Sequence, residues 1–268
     1  MSVIGTFVTR YIYGRKRWQA FFEKLHFISL KGLNLGAGSS LSNSGETGIP
    51  DLVFERASTQ SDIVIFDVGA NSGGYSSMCA SRLKGKGKKL QFFLFEPNTS
   101  LHPLIHRTMA GEQYFLFNTA LGSKSGTATF FIPESHVRGS LVNNENILNG
   151  HSAVRKEQVM VSTLDEMVIE TGCKRIDLLK IDVEGSEFDI LKGAEKAIDE
   201  GIIFAIQFEF GTGQITTRHY LHDYFNLLGK NFTIHRILKD GISGALKYNT
   251  QLEVFKTTNF IALNRRIP

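Results

Sequence analysis

The sequence predicts an α/β fold: a mostly parallel seven-stranded sheet, helices on both faces, closed by a C-terminal antiparallel hairpin. Three observations predict it. From residue 63 onward, short apolar runs alternate with helical patterns, the order that builds a parallel sheet. Two of these runs end in an acid and pass through a Gly-containing turn into a helical pattern: IVIFDVGANSGGYSS from Ile63 and IDLLKIDVEGSEFDILKGA from Ile176. The last two runs have only the polar, Gly-rich KDGISGALKYNT between them, which suits a hairpin better than a right-handed crossover.

The strands are expected at 63–68, 90–95, 114–118, 178–182, 202–208, 232–238 and 260–263. Between them, Tyr75, Met78, Cys79 and Leu83 share one helical face. Phe188, Leu191 and Ile198 share another, with Glu195 as the polar exception and Gly201 as terminator. Tyr220, Leu221, Tyr224, Phe225 and Leu228 make a third, ended by Gly229. Upstream, LKGLNLGAGSSLSNSGETGIP reads as turns, so residues 1–50 are expected to form a basic amphipathic helix plus linker and 51–268 the main domain.

At 268 residues, 42% hydrophobic and 21% charged, the chain is long enough for one sizeable core. The formal charge of +4 is gathered only near the N-terminus, where Arg10, Arg15, Lys16, Arg17, Lys24 and Lys31 stand against Glu23. No basic stripe with interleaved aromatics marks a nucleic-acid partner. Cys79 and Cys173 have neither CxxC spacing nor a His partner, which argues against a zinc site or disulfide framework and for a reducing, cytoplasmic compartment. No apolar run is long enough to span a membrane. The opening MSVIGTFVTRYIYGRKRW lacks signal-peptide order. As a helix it offers Phe7, Ile12, Trp18, Phe21, Phe22 and Leu25 as apolar surface. Either that face packs on the main domain or a second subunit, the commoner fate, or it lies on the inner face of an anionic membrane.

Parallel strands end at one edge, so the two acid–glycine turns should face one crevice. Asp67, Gly69, Asn71 and Gly73 would there meet Asp182, Glu184 and Gly185. Gly69, Gly73 and Gly74 do not have the spacing of the dinucleotide fingerprint. A mostly parallel seven-stranded sheet closed by a hairpin resembles the Rossmann-like class I methyltransferases, and DVGANSGG resembles their acid–glycine loop. Their cofactor, S-adenosylmethionine, carries no phosphate but an ammonium and a carboxylate. Asp67 can meet the ammonium directly or through water, and Gly69 and Gly73 let backbone N–H groups approach. Glu96 follows Gly73 by 23 residues, near the offset at which an acid holds a ribose diol. Ala120 and Leu121 can flank the adenine, or be ordinary core.

The chain is most similar in motif to the FkbM family of S-adenosylmethionine-dependent methyltransferases. DVGANSGGYS, FEPN, NTALGS, STLD and DLLKIDVEGSEFDILKGA run in family order, with GSL at Gly139 resembling the family's Ser-containing loop. The resemblance implies O-methylation of a hydroxyl, with saccharides and polyketide-type natural products as acceptor classes.

Methyl transfer to a protonated hydroxyl needs alignment and a proton acceptor. Asp182 is the first candidate for the base or acceptor-orienting group, followed by Glu184 and Glu209. Lys180, two residues before Asp182, can instead neutralise these acids, while Glu187 and Glu184 can cap the next helix. The acids also suit Mg²⁺, but no DxD or His-rich set accompanies them and no metal is expected. The polar PESHVRGSLVNNENILNGH reads as an acceptor lid in which Arg138 and Ser140 bind sugar hydroxyls and His151 is an alternative base. His219 and His222 are expected on an exposed helical face. Two other classes remain: a nicotinamide-dependent sugar oxidoreductase, and a binding protein that keeps the S-adenosylmethionine pocket without turnover.

Overall fold

The computed structural model describes residues 8–36, 41–57, 60–133, 139–143 and 154–266. All seven expected strands form, in one sheet: β1 (Asp62–Val68), β2 (Lys89–Phe95), β3 (Tyr114–Phe117), β7 (Ile176–Ile181), β8 (Ile203–Phe210), β9 (Phe232–Leu238) and β11 (Thr258–Asn264). A two-residue strand, β10 (Gly241–Ile242), adds an eighth at the edge, in the order β10-β9-β11-β8-β7-β1-β2-β3. Strands β3, β2, β1, β7 and β8 run parallel, and β11 lies antiparallel between β8 and β9. The expected terminal hairpin is therefore the β9–β11 pair.

Burial on both faces explains the near-continuous apolar runs. Alternate residues of β1 go to opposite layers. Phe66 joins Leu179, Ile206 and Phe208 beneath Leu191 and Tyr224, whereas Ile63 and Ile65 join Tyr75, Cys79 and Leu83. Helix α1 (Gln19–Gly32) lies outside both layers and buries only Leu30. Helices α2 (Ile49–Arg56), α3 (Gly74–Leu83) and α4 (His102–Thr108) supply one layer. The other layer uses α5 (Leu164–Thr171), α6 (Glu187–Lys192), α7 (Glu195–Glu200) and, beyond the short α8 (Gly213–Thr217), α9 (Leu221–Leu228).

A second, three-stranded sheet departs from the expectation. Strand β5 (Gly126–Pro133) pairs antiparallel with β6 (Val154–Ser162), which pairs parallel with the short β4 (Ala120–Leu121). The face of β6 that carries Lys156, Gln158 and Met160 is exposed, and Arg155 and Glu157 precede the buried Val159 and Val161 on the other, so no apolar run appears. The single helix expected across 188–198 is broken at Gly193. A Cβ there would lie 2.1 Å from the carbonyl oxygen of Gly122. Asp165 restarts the helix by accepting from the N–H groups of Lys196 and Ala197. His219 also departs from its expected exposed face: its ring packs 4.8 Å from Phe188, while His222 is exposed on α9. Tyr220 is the N-cap of α9 rather than part of its buried face.

Residues that read as linker dock against the sheet. Gly45, at φ +89, lies where a Cβ would sit 1.9 Å from the carbonyl oxygen of Leu238. Asn34 donates to the carbonyls of Ser44 and Ile237, and Ser44, Glu46, Ile49 and Pro50 are buried.

Asp177 bridges two central strands. Its carboxylate accepts from the N–H of Val64 at 2.8 Å and from Nε of Arg175 at 2.8 Å. Asp177→Ala leaves the Val64 donor buried without that partner, so the unfolding free energy should fall by about 1–3 kcal/mol. Urea unfolding checks this; an unchanged midpoint would contradict the bridging role.

Candidate active site

Strand β1 ends at Val68 and the chain turns through Gly69–Gly73 into α3. Gly69, at φ +82, lies where a Cβ would be 2.0 Å from the carbonyl oxygen of Asp182. Only glycine lets the turns after β1 and β7 touch there. Asn71 follows with φ +50, and its N–H donates to Glu96 Oε2 at 2.8 Å. Oε1 of Glu96 accepts from the N–H of Asn98 at 2.8 Å. Burial pushes the Glu96 carboxyl up, against the pull of these two donors.

These groups line one cavity of about 230 Å³. Gly69, Asn71, Phe95, Glu96, Ala120 and Leu121 form one side; Lys180, Asp182, Glu184 and Glu209 form the other. The cavity thus brings together most of the expected site residues. Asp67 and Gly73 are exceptions, because neither is on its wall. Asp67 is fully buried beneath it, accepting from Ser76 Oγ at 2.7 Å, with Lys180 Nζ at 3.7 Å from its other oxygen. Of the two routes expected from Asp67 to a ligand ammonium, the direct one does not fit this burial, which leaves the route through water. Gly73, at φ +76, instead starts α3 against Met109 and Ile105.

Lys180 organises the floor. Its Nζ donates to Asp182 Oδ2 at 3.1 Å and stands 4.9 Å above the ring of Tyr75. Burial opposes its charge, but Asp182, Asp67 and Glu46 prevail and raise the ammonium's pKa. Glu46 was not among the expected site residues, yet it lines the cavity. It accepts from Ser44 Oγ at 2.6 Å and from Gln207 Nε2 at 2.7 Å, and Gln207 in turn accepts from Tyr75 at 2.6 Å. No pattern in SGETGIP marks this acid, because its place depends on packing against β8 and β9. Burial raises its pKa despite Lys180.

The turn after β7 is shaped by Glu187, whose carboxylate accepts from the N–H groups of Val183 and Gly185 and from Gln214 Nε2. The capping role expected for it is not what is found: Glu187 is the first residue of α6, and the N–H groups it holds at Val183 and Gly185 belong to the preceding turn rather than to the helix. Glu184, at φ +60, presents a second acid to the cavity. Glu209, near the end of β8, is raised well above the ordinary carboxylate range by burial and by Asp182, Glu184, Glu187 and Glu46.

Ser140 differs from its expected role. Its hydroxyl is shared between the carbonyls of Val183, at 2.9 Å, and Glu184, at 3.2 Å, and accepts from the N–H of Val142. It ties the second sheet to the acid turn and is not free for a sugar, while its neighbours Gly139 and Leu141 line the cavity. Arg138, His136 and His151 lie outside the described residues. Among the described residues no group of three or more His, Cys, Asp or Glu is arranged to hold a metal, and no helix is long and apolar enough to cross a membrane.

The parallel sheet with its inserted antiparallel strand, and a cavity between an acid–glycine turn and a second acidic turn, have the layout of the class I methyltransferase fold. Residues 67–232 match the family described as Methyltransferase FkbM domain, and the chain belongs to that family. It is 28% identical over 148 residues to the 2-O-methyltransferase NoeI of Sinorhizobium fredii, covering 51% of this chain and 59% of that protein. It is 26% identical over 158 residues to the hexuronic acid methyltransferase AglP of Haloferax volcanii, covering 58% of each. The matched region thus spans just under three-fifths of these relatives. The crystal structure of Methyltransferase FkbM from Methylobacillus flagellatus is 16% identical, with a TM-score of 0.46 over 91% of this chain and 60% of that one.

Glu187 is pushed up to about 7 by burial, against its backbone donors. An acid whose pKa rises on folding binds its proton more tightly when folded, so stability falls as pH rises from the ordinary carboxylate value toward 7. Denaturant unfolding should therefore show greater stability at pH ~5 than at pH ~7, with a shallower slope in Glu187→Gln. Equal slopes would show that Glu187 does not titrate in that window.

Proposed function

We propose that this methyltransferase uses S-adenosylmethionine and transfers its methyl group to a hydroxyl of a saccharide or similar polyhydroxyl acceptor. The observation that carries the reading is that Asp182, Glu184 and Glu209 stand on the wall of the same cavity as the Gly69 turn and Glu96. The residues fit the cofactor. Glu96 has one oxygen fixed by each of two backbone donors and keeps lone pairs for a ribose diol. Phe95, Pro97 and Leu121 offer apolar surface to a purine. The acids on the opposite wall favour a cationic ligand.

Bound S-adenosylmethionine supplies a methyl group already activated on a sulfonium. The chain's own residues then have two tasks, to orient the acceptor oxygen and to take its proton. Asp182, held by Lys180 at 3.1 Å, suits orientation, since it can accept from a hydroxyl without leaving its place. Glu209 suits proton removal, because it stands on the cavity wall and burial, with the neighbouring acids, raises its proton affinity above that of an ordinary carboxylate. Glu46 and Glu184 are further acceptors for sugar hydroxyls. The saccharide class is supported by the names of the two relatives, a 2-O-methyltransferase and a hexuronic acid methyltransferase.

Calorimetric titration tests the cofactor. S-adenosylmethionine and S-adenosylhomocysteine should bind and NADH should not; binding of NADH alone would replace the reading with an oxidoreductase. Transfer of labelled methyl to a saccharide panel tests the roles. Glu209→Gln and Asp182→Asn should keep adenosyl binding and lose at least about a hundredfold in transfer, the scale of a removed general base. Full transfer by either variant removes that residue from its assigned role.

A further inference from the structure

The apolar side chains of α1 are turned away from the rest of the protein. Phe21, Leu25 and Ile28 are 55%, 48% and 55% exposed. At 3.6 residues per turn they form one stripe, and Leu30, the single buried residue of the helix, projects from roughly the opposite side. The helix therefore rests on the body of the protein through Leu30 and presents its greasy stripe outward. This is the reverse of the burial expected for an amphipathic surface helix.

Charge surrounds the stripe. Lys24 and Lys31 flank it on one side, with the Lys31 ammonium 4.6 Å above the ring of Phe27. At the foot of the helix, Tyr11, Arg15, Lys16 and Arg17 wall an open hollow of about 370 Å³. Residues 8–36 carry six Lys and Arg against the single acid Glu23. Tyr13, Trp18, Phe21 and Phe22 join edge to face at centroid separations of 5.3 to 6.0 Å, and aromatic rings beside cations favour a membrane–water boundary.

We infer that this N-terminal surface binds an anionic lipid bilayer, with Phe21, Leu25 and Ile28 inserted at the acyl boundary and the basic hollow facing headgroup phosphates. A second copy of the chain is the other apolar partner available, but it would bring the same cationic excess to the contact. An anionic bilayer complements both the stripe and the charge. The catalytic cavity takes no residue from α1, so the surface would tether the enzyme without entering its chemistry.

Vesicle flotation of the full chain tests this. Vesicles of phosphatidylcholine mixed with phosphatidylglycerol should carry the protein; vesicles of phosphatidylcholine alone should carry much less, and high salt should release it. A Phe21→Ser, Leu25→Ser, Ile28→Ser variant should lose about tenfold or more in binding, with thermal unfolding of the main domain unchanged because none of these side chains belongs to its core. A Lys24→Glu, Lys31→Glu variant should lose binding as well. Equal flotation of the wild type and the triple serine variant, or no flotation on the mixed vesicles, overturns the inference. In the latter case, a dimer seen by light scattering and broken by the serine variant would assign the stripe to a second copy.

Discussion

The structure depends on one buried cation. Asp67 and Lys180 are register partners on adjacent parallel strands, and Asp182 follows two residues after Lys180. The Lys180 ammonium stands between the two carboxylates, at 3.7 Å from Asp67 and 3.1 Å from Asp182, with Glu46 close enough to raise its pKa. Removing one partner from such a cluster leaves charge unpaired at low dielectric, which costs about 3–5 kcal/mol. Through this contact the floor of the cavity is common property of β1, β7 and the segment preceding α2. An acid-rich wall can exist there because Lys180 offsets part of its repulsion.

Close backbone approach is the second constraint. Gly69 meets the carbonyl of Asp182, Gly193 meets that of Gly122, and Gly185 lies against Gly213. Each contact joins two segments that are distant in sequence, and each would be blocked by a Cβ. Together they draw the turns after β1, β7 and β8 into one rim. Glu187 fixes that rim by accepting from Val183, Gly185 and Gln214, so its own proton affinity is coupled to the shape of the site.

The main sheet was legible because strands buried on both faces must be apolar throughout, and because parallel strands bring their C-terminal turns to one edge. Asp182, Glu184, Glu209 and Glu96, at or just beyond the ends of parallel strands, accordingly share one cavity. The sequence pattern fails where information is not local. The one-sided β6 has no apolar run, the break at Gly193 comes from Gly122, and Glu46 reaches the cavity through docking of the preceding segment on β9. Asp67 and Ser140 carried the right residue types but serve the wall from behind, a distinction of a few ångströms that no motif encodes.

These features describe a protein of the FkbM family in which a neutralising lysine sets the geometry of an acidic cavity, while a cationic, apolar helix stands apart from it. The most direct measurement is the affinity of Lys180→Met for S-adenosylhomocysteine, taken by calorimetry on protein shown to be folded by circular dichroism. Without the ammonium, Asp182 and Asp67, which stands two residues before Gly69, lose their common partner, and affinity should drop by about tenfold or more. Wild-type affinity in that variant would contradict the claim that Lys180 holds the site together.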